Sequence, residues 1–191
     1  KKVVDEIEYY QKNYSINEFH FEDLNPTVND IRTREICKEI IRRNLKINWK
    51  IVSGTKVESI KNNDTVDLMA QSGCKYVSIS PESGSKDVMK NIGKPFNLDH
   101  AYKIVKRMNE KKIFSQACFV LGFPDENEDD ILKTKQMIYK LTKNGVDEIA
   151  IFIITPIPGS SIFEKFKGYN SFSELNFSPQ WRKDYKYLAN K

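Results

Sequence analysis

Tyr76-Val77-Ser78-Ile79-Ser80-Pro81-Glu82-Ser83-Gly84-Ser85 lies near the middle of the chain and sets its reading. Residues 76–80 have the aromatic and β-branched composition of a strand. The five that follow are a polar, Pro- and Gly-containing exit, in which Ser83 or Ser85 suits the cap of a following helix. Upstream, a helix carrying Val66, Leu68 and Met69 stops at Gly73. Downstream come a loop, a short helix, a longer helix over 98–110 and a strand over 114–121.

The same alternation runs to both ends. Toward the start stand a strand over 47–52, a helix with Ile31, Ile36, Ile40 and Ile41 as its face, and a strand at Glu18-Phe19-His20-Phe21. Asn29 or Asp30 caps that helix. A further helix opens the chain, with Val3, Val4, Ile7 and Tyr10 on one face. Toward the end stand a helix over 128–142 and a strand over 148–154 that breaks at Thr155-Pro156. Residues 1–168 read as one domain and residues 169–191 as an aromatic tail or docked extension. Five strands separated by helices imply a parallel sheet with helical crossovers, as an open doubly wound sheet or as a barrel. No Gly-rich phosphate loop follows the first strand, which weakens the dinucleotide-binding version.

The chain has 191 residues with 31 Lys and Arg against 26 Asp and Glu, a formal charge of +5. The basic pairs Arg42-Arg43 and Lys111-Lys112 fall at helix ends, where cations complement the dipole. No basic stripe interleaves with aromatics, so a nucleic-acid face is not expected. No apolar run reaches the length of a membrane span, and the opening does not read as a signal peptide. Cys37, Cys74 and Cys118 are isolated and odd in number, so they read as small buried hydrophobes in a reducing cytoplasm. The chain opens directly in a helix and is expected to be a piece of a longer protein.

Ligand groups in parallel α/β folds come from the carboxyl ends of strands. Those ends offer Glu22, Asp23 and Asn25; Gly54 and Lys56; Ser80 and Glu82; Gly122 to Glu126; and Thr155 to Ser160. Singly, each could be a cap, a turn or an acidic first helical turn, as for residues 125–130. Together on one rim they read as a ligand site. Glu22 and Asp23, adjacent along a strand, should point to opposite faces. His20 and His100 have no partner at metal-ligand spacing.

The order of these exits resembles the radical SAM superfamily, closest to the branch whose core follows a cobalamin-binding domain. The resemblance is carried by residues 19–23, Trp49 with residues 53–58, residues 72–74, residues 79–85, Asn91-Ile92-Gly93-Lys94-Pro95, residues 119–126 and residues 155–160. It implies an α/β fold, a partial (β/α)6 TIM-like barrel of parallel strands lacking its first strand. It also implies a CxxxCxxC loop holding a 4Fe-4S cluster, S-adenosylmethionine (SAM) chelated by that cluster, and reductive cleavage to a 5′-deoxyadenosyl radical. A cobalamin-binding domain upstream and a flavodoxin or ferredoxin reductant are implied for the full-length protein. This chain contains no CxxxCxxC, so it is expected to be inactive alone.

By the same resemblance, Glu22, Asp23 and Asn25 face the methionine amino group of SAM, and Ser80 with Glu82 face the ribose hydroxyls. Val120, Leu121, Gly122, Thr155 and Pro156 flank the adenine. Lys56 stands where relatives often carry Arg; it keeps the charge without the two-pronged grip on a carboxylate. A non-radical barrel enzyme of aldolase or isomerase type using Lys56 and Glu82, or a non-catalytic barrel module, are the other readings. A partnerless edge at residues 18–21 is expected to favour self-association.

Overall fold

The computed structural model describes residues 2–94 and 96–154. The elements run α1 (Lys2–Tyr14), β1 (Glu18–Phe21), α2 (Asp30–Arg42), β2 (Asn48–Thr55), a 3-10 turn (Val57–Ser59), α3 (Asn63–Gln71) and β3 (Cys74–Glu82). They continue as α4 (Lys86–Asn91), α5 (Leu98–Glu110), β4 (Phe114–Leu121), α6 (Glu128–Lys143) and β5 (Glu148–Ile153). The strand break at Thr155-Pro156, the fifth exit and the 169–191 tail lie outside the described residues, as does Pro95.

The five strands form one sheet in chain order, β1-β2-β3-β4-β5, and each neighbouring pair is parallel. All five carboxyl ends therefore meet one rim. Burial alternates along β1, β4 and most of β2, and the register carries the same division of faces to their neighbours. Trp49, Ile51, Val77, Ile79, Ala117 and Phe119 are buried in the core with Ile40, Val66, Met69, Ile104, Met108, Met137 and Leu141 from the helices. The residues between them carry Lys50, Tyr76, Ser78, Ser80, Gln116, Cys118 and Val120 to the opposite face, and none of these is in that core. Helices contact one another in sequence, α1 with α2, α2 with α3, α3 with α5 and α5 with α6, as a single layer does. A doubly wound sheet would bury apolar residues on both faces. One apolar and one polar face instead make this an open, partial barrel.

Several local expectations change. The buried side of α2 is Thr33, Cys37 and Ile40, spaced as one helical face, while Ile31 is 70% exposed and Ile41 39% exposed. On α1, Val4 and Ile7 are buried and Tyr10 lies out in solvent. Strand β1 ends at Phe21, so Glu22 and Asp23 belong to the following loop and the opposite-face argument does not apply to them. Strand β3 runs on through Pro81 to Glu82, because the ladder slips between Ile79 and Glu82 and needs no donor from the proline there. Asn29 caps α2 and Ser85 caps α4, each side chain accepting a backbone N–H of the first turn.

Arg43 holds α1 to α2. Its guanidinium reaches Asp5 at 2.6 Å, Glu8 at 2.7 Å and Glu39 at 2.7 Å. Hydrogen bonds from Arg42 and then Arg43 hold the Glu39 carboxyl down at about 2. A carboxylate depressed in the folded state contributes stability above its ordinary titration range and loses it as pH falls toward the folded value. Chemical denaturation from pH 6 down to pH 2 should therefore show stability falling below about pH 4.5. Glu39→Gln should flatten that fall, and an unchanged slope would remove Glu39 from its origin.

One-sided burial is checked by a pair of substitutions. Phe119 is fully buried on the helix side, whereas Phe152 is 55% exposed on the other. Phe119→Ala should cost about 3–5 kcal/mol in urea unfolding. Phe152→Ala should cost less than about 1 kcal/mol. Equal losses would mean that both faces are packed.

Candidate functional site: the strand-exit rim and the polar sheet face

The polar face is bound together across strands. Lys50 donates to Glu18 at 2.6 Å, and His20 lies 3.4 Å from the same carboxylate. The Gln116 amide oxygen accepts from Ser78 at 3.1 Å and from the Cys118 thiol at 3.3 Å. Tyr76 stacks on Phe114 with ring centroids 5.6 Å apart. None of these residues stands at a strand exit, so the sequence does not mark them as site candidates. The signal was their period-2 spacing, polar residues alternating with the apolar ones of Trp49-Lys50-Ile51 and Ser115-Gln116-Ala117-Cys118-Phe119.

At the β1 and β2 exits, Asn25 is a fastener. Its amide oxygen accepts from Thr55 at 2.6 Å, Thr27 at 3.2 Å and Ser59 at 3.4 Å. Thr27, Thr55 and Ser59 are buried. Ser53 donates to the Asp23 carbonyl at 2.6 Å, so both exits are tied together. The Glu22 and Asp23 side chains stand exposed above this knot, as does Lys56, whose carbonyl accepts the Ser59 hydroxyl at 2.5 Å. Gly54 lies under Ser80: a Cβ at position 54 would sit 1.8 Å from the Ser80 hydroxyl oxygen. The missing side chain is what lets Ser80 lean across the face.

Glu82 ends the central strand with φ +62, a left-handed backbone that is uncommon for a residue with a long side chain. Its side chain is 13% exposed and pairs with Lys94 from the loop before α5. The residues that follow it are buried and polar. Ser83 shares a 3.1 Å hydrogen bond with Thr134, and the Gly84 N–H donates to the Thr134 hydroxyl at 3.0 Å. The Ser85 hydroxyl donates to Asp130 at 2.5 Å. That bond is the main reason the Asp130 carboxyl titrates below its ordinary range. Asp130 is thus more than part of an acidic first turn: it is 4% exposed and also closes a capping box with Asn127, the residue before α6 begins.

At the β4 exit, Val120, Leu121 and Gly122 are half-buried, and Gly122 takes φ +89. The Glu126 carboxylate turns back to accept the Gly122 N–H at 2.7 Å. Its other oxygen is buried without a hydrogen-bond partner among the described residues, and burial pushes the Glu126 carboxyl above its ordinary range. An orphan acceptor of this kind beside a strand exit fits a donor-bearing ligand at the rim. The structure thus brings Ser80, Glu82, Lys94 and residues 120–122 to adjacent central exits and Asn25 with Lys56 to the neighbouring ones. Thr155 and Pro156 lie outside the described residues.

The thiols do not fit an iron–sulfur cluster. Cys37 and Cys74 are buried on the helix side, where burial pushes Cys37 up to about 11 and Cys74 higher still. Cluster ligands must be converging thiolates. Cys118 stands on the other face, hydrogen-bonded to its neighbours. Among the described residues no group of three or more His, Cys, Asp or Glu could hold a metal ion. No helix among them is long and apolar enough to cross a membrane.

Known proteins agree with this architecture. Residues 1–138 match the radical SAM superfamily. An uncharacterized methyltransferase of Pyrococcus horikoshii is 27% identical over 183 residues, covering 96% of this chain and 38% of that protein. The anaerobic magnesium-protoporphyrin IX monomethyl ester cyclase of Rubrivivax gelatinosus is 26% identical over 167 residues, covering 86% and 29%. The chain spans about a third of the length of these relatives. Among solved structures, the radical SAM methyltransferase TsrM of Kitasatospora setae, with cobalamin and a 4Fe-4S cluster bound, superposes with a TM-score of 0.71. Identity there is 16%, over 81% of this chain and 29% of that one. The cobalamin-dependent SAM radical enzyme OxsB gives a TM-score of 0.58 at 16% identity, over 71% and 21%. Five parallel strands in chain order, one helical layer and a match across residues 1–138 place this chain in the radical SAM superfamily.

Proposed function

We propose that this chain is the SAM-binding barrel segment of a radical SAM enzyme and that its rim takes the nucleoside half of SAM. The observation that carries this reading is the Glu82 carboxylate, held at the carboxyl end of the central strand where the polar face meets the rim. A carboxylate there can accept from both hydroxyls of a ribose. Ser80, on the same strand and free of a side chain opposite it at Gly54, supplies a hydroxyl beside it. Residues 120–122 offer an apolar edge and backbone groups to an adenine. The exposed Glu22 and Asp23 carboxylates suit the methionine amino group, and Lys56 suits its carboxylate as a point charge. Asn25 serves this site by fixing the loop that carries them.

The relatives named above are a methyltransferase and a cyclase, and methyl transfer or ring closure is the reaction class we carry over to the full-length protein. SAM, an iron–sulfur cluster, cobalamin and a flavodoxin or ferredoxin reductant belong to that larger assembly. This chain's own residues bind and orient the nucleoside, and no radical step is assigned to them.

Calorimetric titration of SAM into the chain tests the assignment. Binding should be weak, because no group among the described residues could hold a metal to chelate the methionine end and its exposed charged partners are screened by water, and Glu82→Ala should weaken it about tenfold further. SAM affinity that is micromolar and survives Glu82→Ala would show that the ribose is not read by Glu82.

A further inference from the structure

Glu82 is held in a backbone conformation that its own residue type does not favour, so something outside β3 must maintain it. Strand pairing reaches Glu82 only at its last rung, opposite Phe119 and beyond the slip that follows Ile79, and gives no hold on the residues after it. The next three residues, however, are fixed to a helix 45 to 51 residues further on. Ser83, Ser85, Asp130 and Thr134 are all buried, between 0% and 4% exposed. The Thr134 hydroxyl meets both the Gly84 N–H and the Ser83 hydroxyl, while Ser85 donates to Asp130 and caps α4. Ser83 closes the loop by accepting the Ser85 N–H at 3.1 Å.

Contact between loop and helix is also steric. A Cβ on Gly84 would lie 2.4 Å from the Lys133 carbonyl oxygen and 2.7 Å from the Thr134 Cα, so the loop backbone rests directly on the first turns of α6. The same turns receive the β4 exit, since residues 122–126 lead into the Asn127 cap and Glu126 holds the Gly122 N–H. One helix end therefore fixes two adjacent exits, the one carrying Glu82 and the one carrying Gly122.

We propose that Thr134 and Asp130 are positioning residues, which set the Glu82 carboxylate against the ribose by clamping Ser83-Gly84-Ser85 onto helix α6. This rests on the reading of Glu82 as the ribose carboxylate. A buried clamp of this kind lets the site meet its ligand without first ordering the loop, and a displacement of about 1 Å at such a site can cost up to about a hundredfold. Lys94, from the loop between α4 and α5, engages one Glu82 oxygen.

Two measurements on the chain separate the clamp from the ribose reading. The first, hydrogen exchange without ligand, compares Thr134→Val, Thr134→Ser and Asp130→Ala with the parent. Thr134→Val should raise exchange at the Gly84 and Ser85 amides at least about tenfold, an expectation for loss of a local hydrogen bond, while β3 and β4 ladder amides stay protected. Thr134→Ser should restore it. The second is SAM titration: Thr134→Val and Asp130→Ala should weaken binding about tenfold with little change in the ladder amides, and Thr134→Ser should bind as the parent does. Unchanged exchange at Gly84 and Ser85 in Thr134→Val overturns the clamp whatever SAM does. Raised exchange with unchanged SAM affinity, where Glu82→Ala does weaken binding, overturns its positioning role. If Glu82→Ala leaves binding unchanged, the ribose reading and the positioning proposal built on it both fail, while the exchange result still decides the clamp.

Discussion

Burial of one face of a parallel sheet governs the rest of this structure. Residues such as Trp49, Ile79 and Phe119 alternate with Lys50, Ser78, Ser80, Gln116 and Cys118 along β2, β3 and β4, so among the described residues the helices pack on one side. The uncovered side keeps hydrogen-bonding groups that an apolar core would leave unpaired at a cost of about 1–3 kcal/mol each. A sheet built this way must either meet water on that side or enclose a polar ligand. Since every pairing is parallel, the same constraint sends all five exits to one rim and gives the polar face a single mouth.

Within that frame, the exits are fixed by tertiary polar contacts rather than by the strands themselves. The knot of Asn25, Thr27, Thr55 and Ser59 joins the first two exits, and the clamp of Ser83, Ser85, Asp130 and Thr134 joins the third to α6. Both are buried and largely satisfied, which favours one loop arrangement over alternatives. The strained φ of Glu82 and the orphan oxygen of Glu126 stand at the edge of this fastened region. The Glu82 strain and the unmet Glu126 oxygen thus sit beside the mouth, while the polar groups of the knot and the clamp beneath it are paired.

Much of the architecture was legible in the sequence. The alternation of helix and strand, the five strands and the rim that gathers Glu22, Lys56 and Glu82 follow from period and punctuation, which are local properties. The buried face of α2 was less so, because Ile31 and Ile41 flank the contact while Thr33 and Cys37 make it. The reach of β3 through Pro81 depends on a ladder slip that only the neighbouring strand reveals. Asp130 read locally as an acid near a helix start; its bond to Ser85 spans 45 residues and leaves no local trace. The family resemblance was carried by the order of the exits, and that order is what the parallel sheet preserves.

The central claim is that the polar face ends in a nucleoside site at Ser80, Glu82 and residues 120–122. Intermolecular nuclear Overhauser effects between the ribose and adenine protons of SAM and an assigned, isotopically labelled chain test it most directly. Contacts to the Ser80, Cys118 and Val120 side chains, on the polar face beside the rim, are expected. Contacts confined to the helical layer, such as Ile104 or Met137, would contradict it.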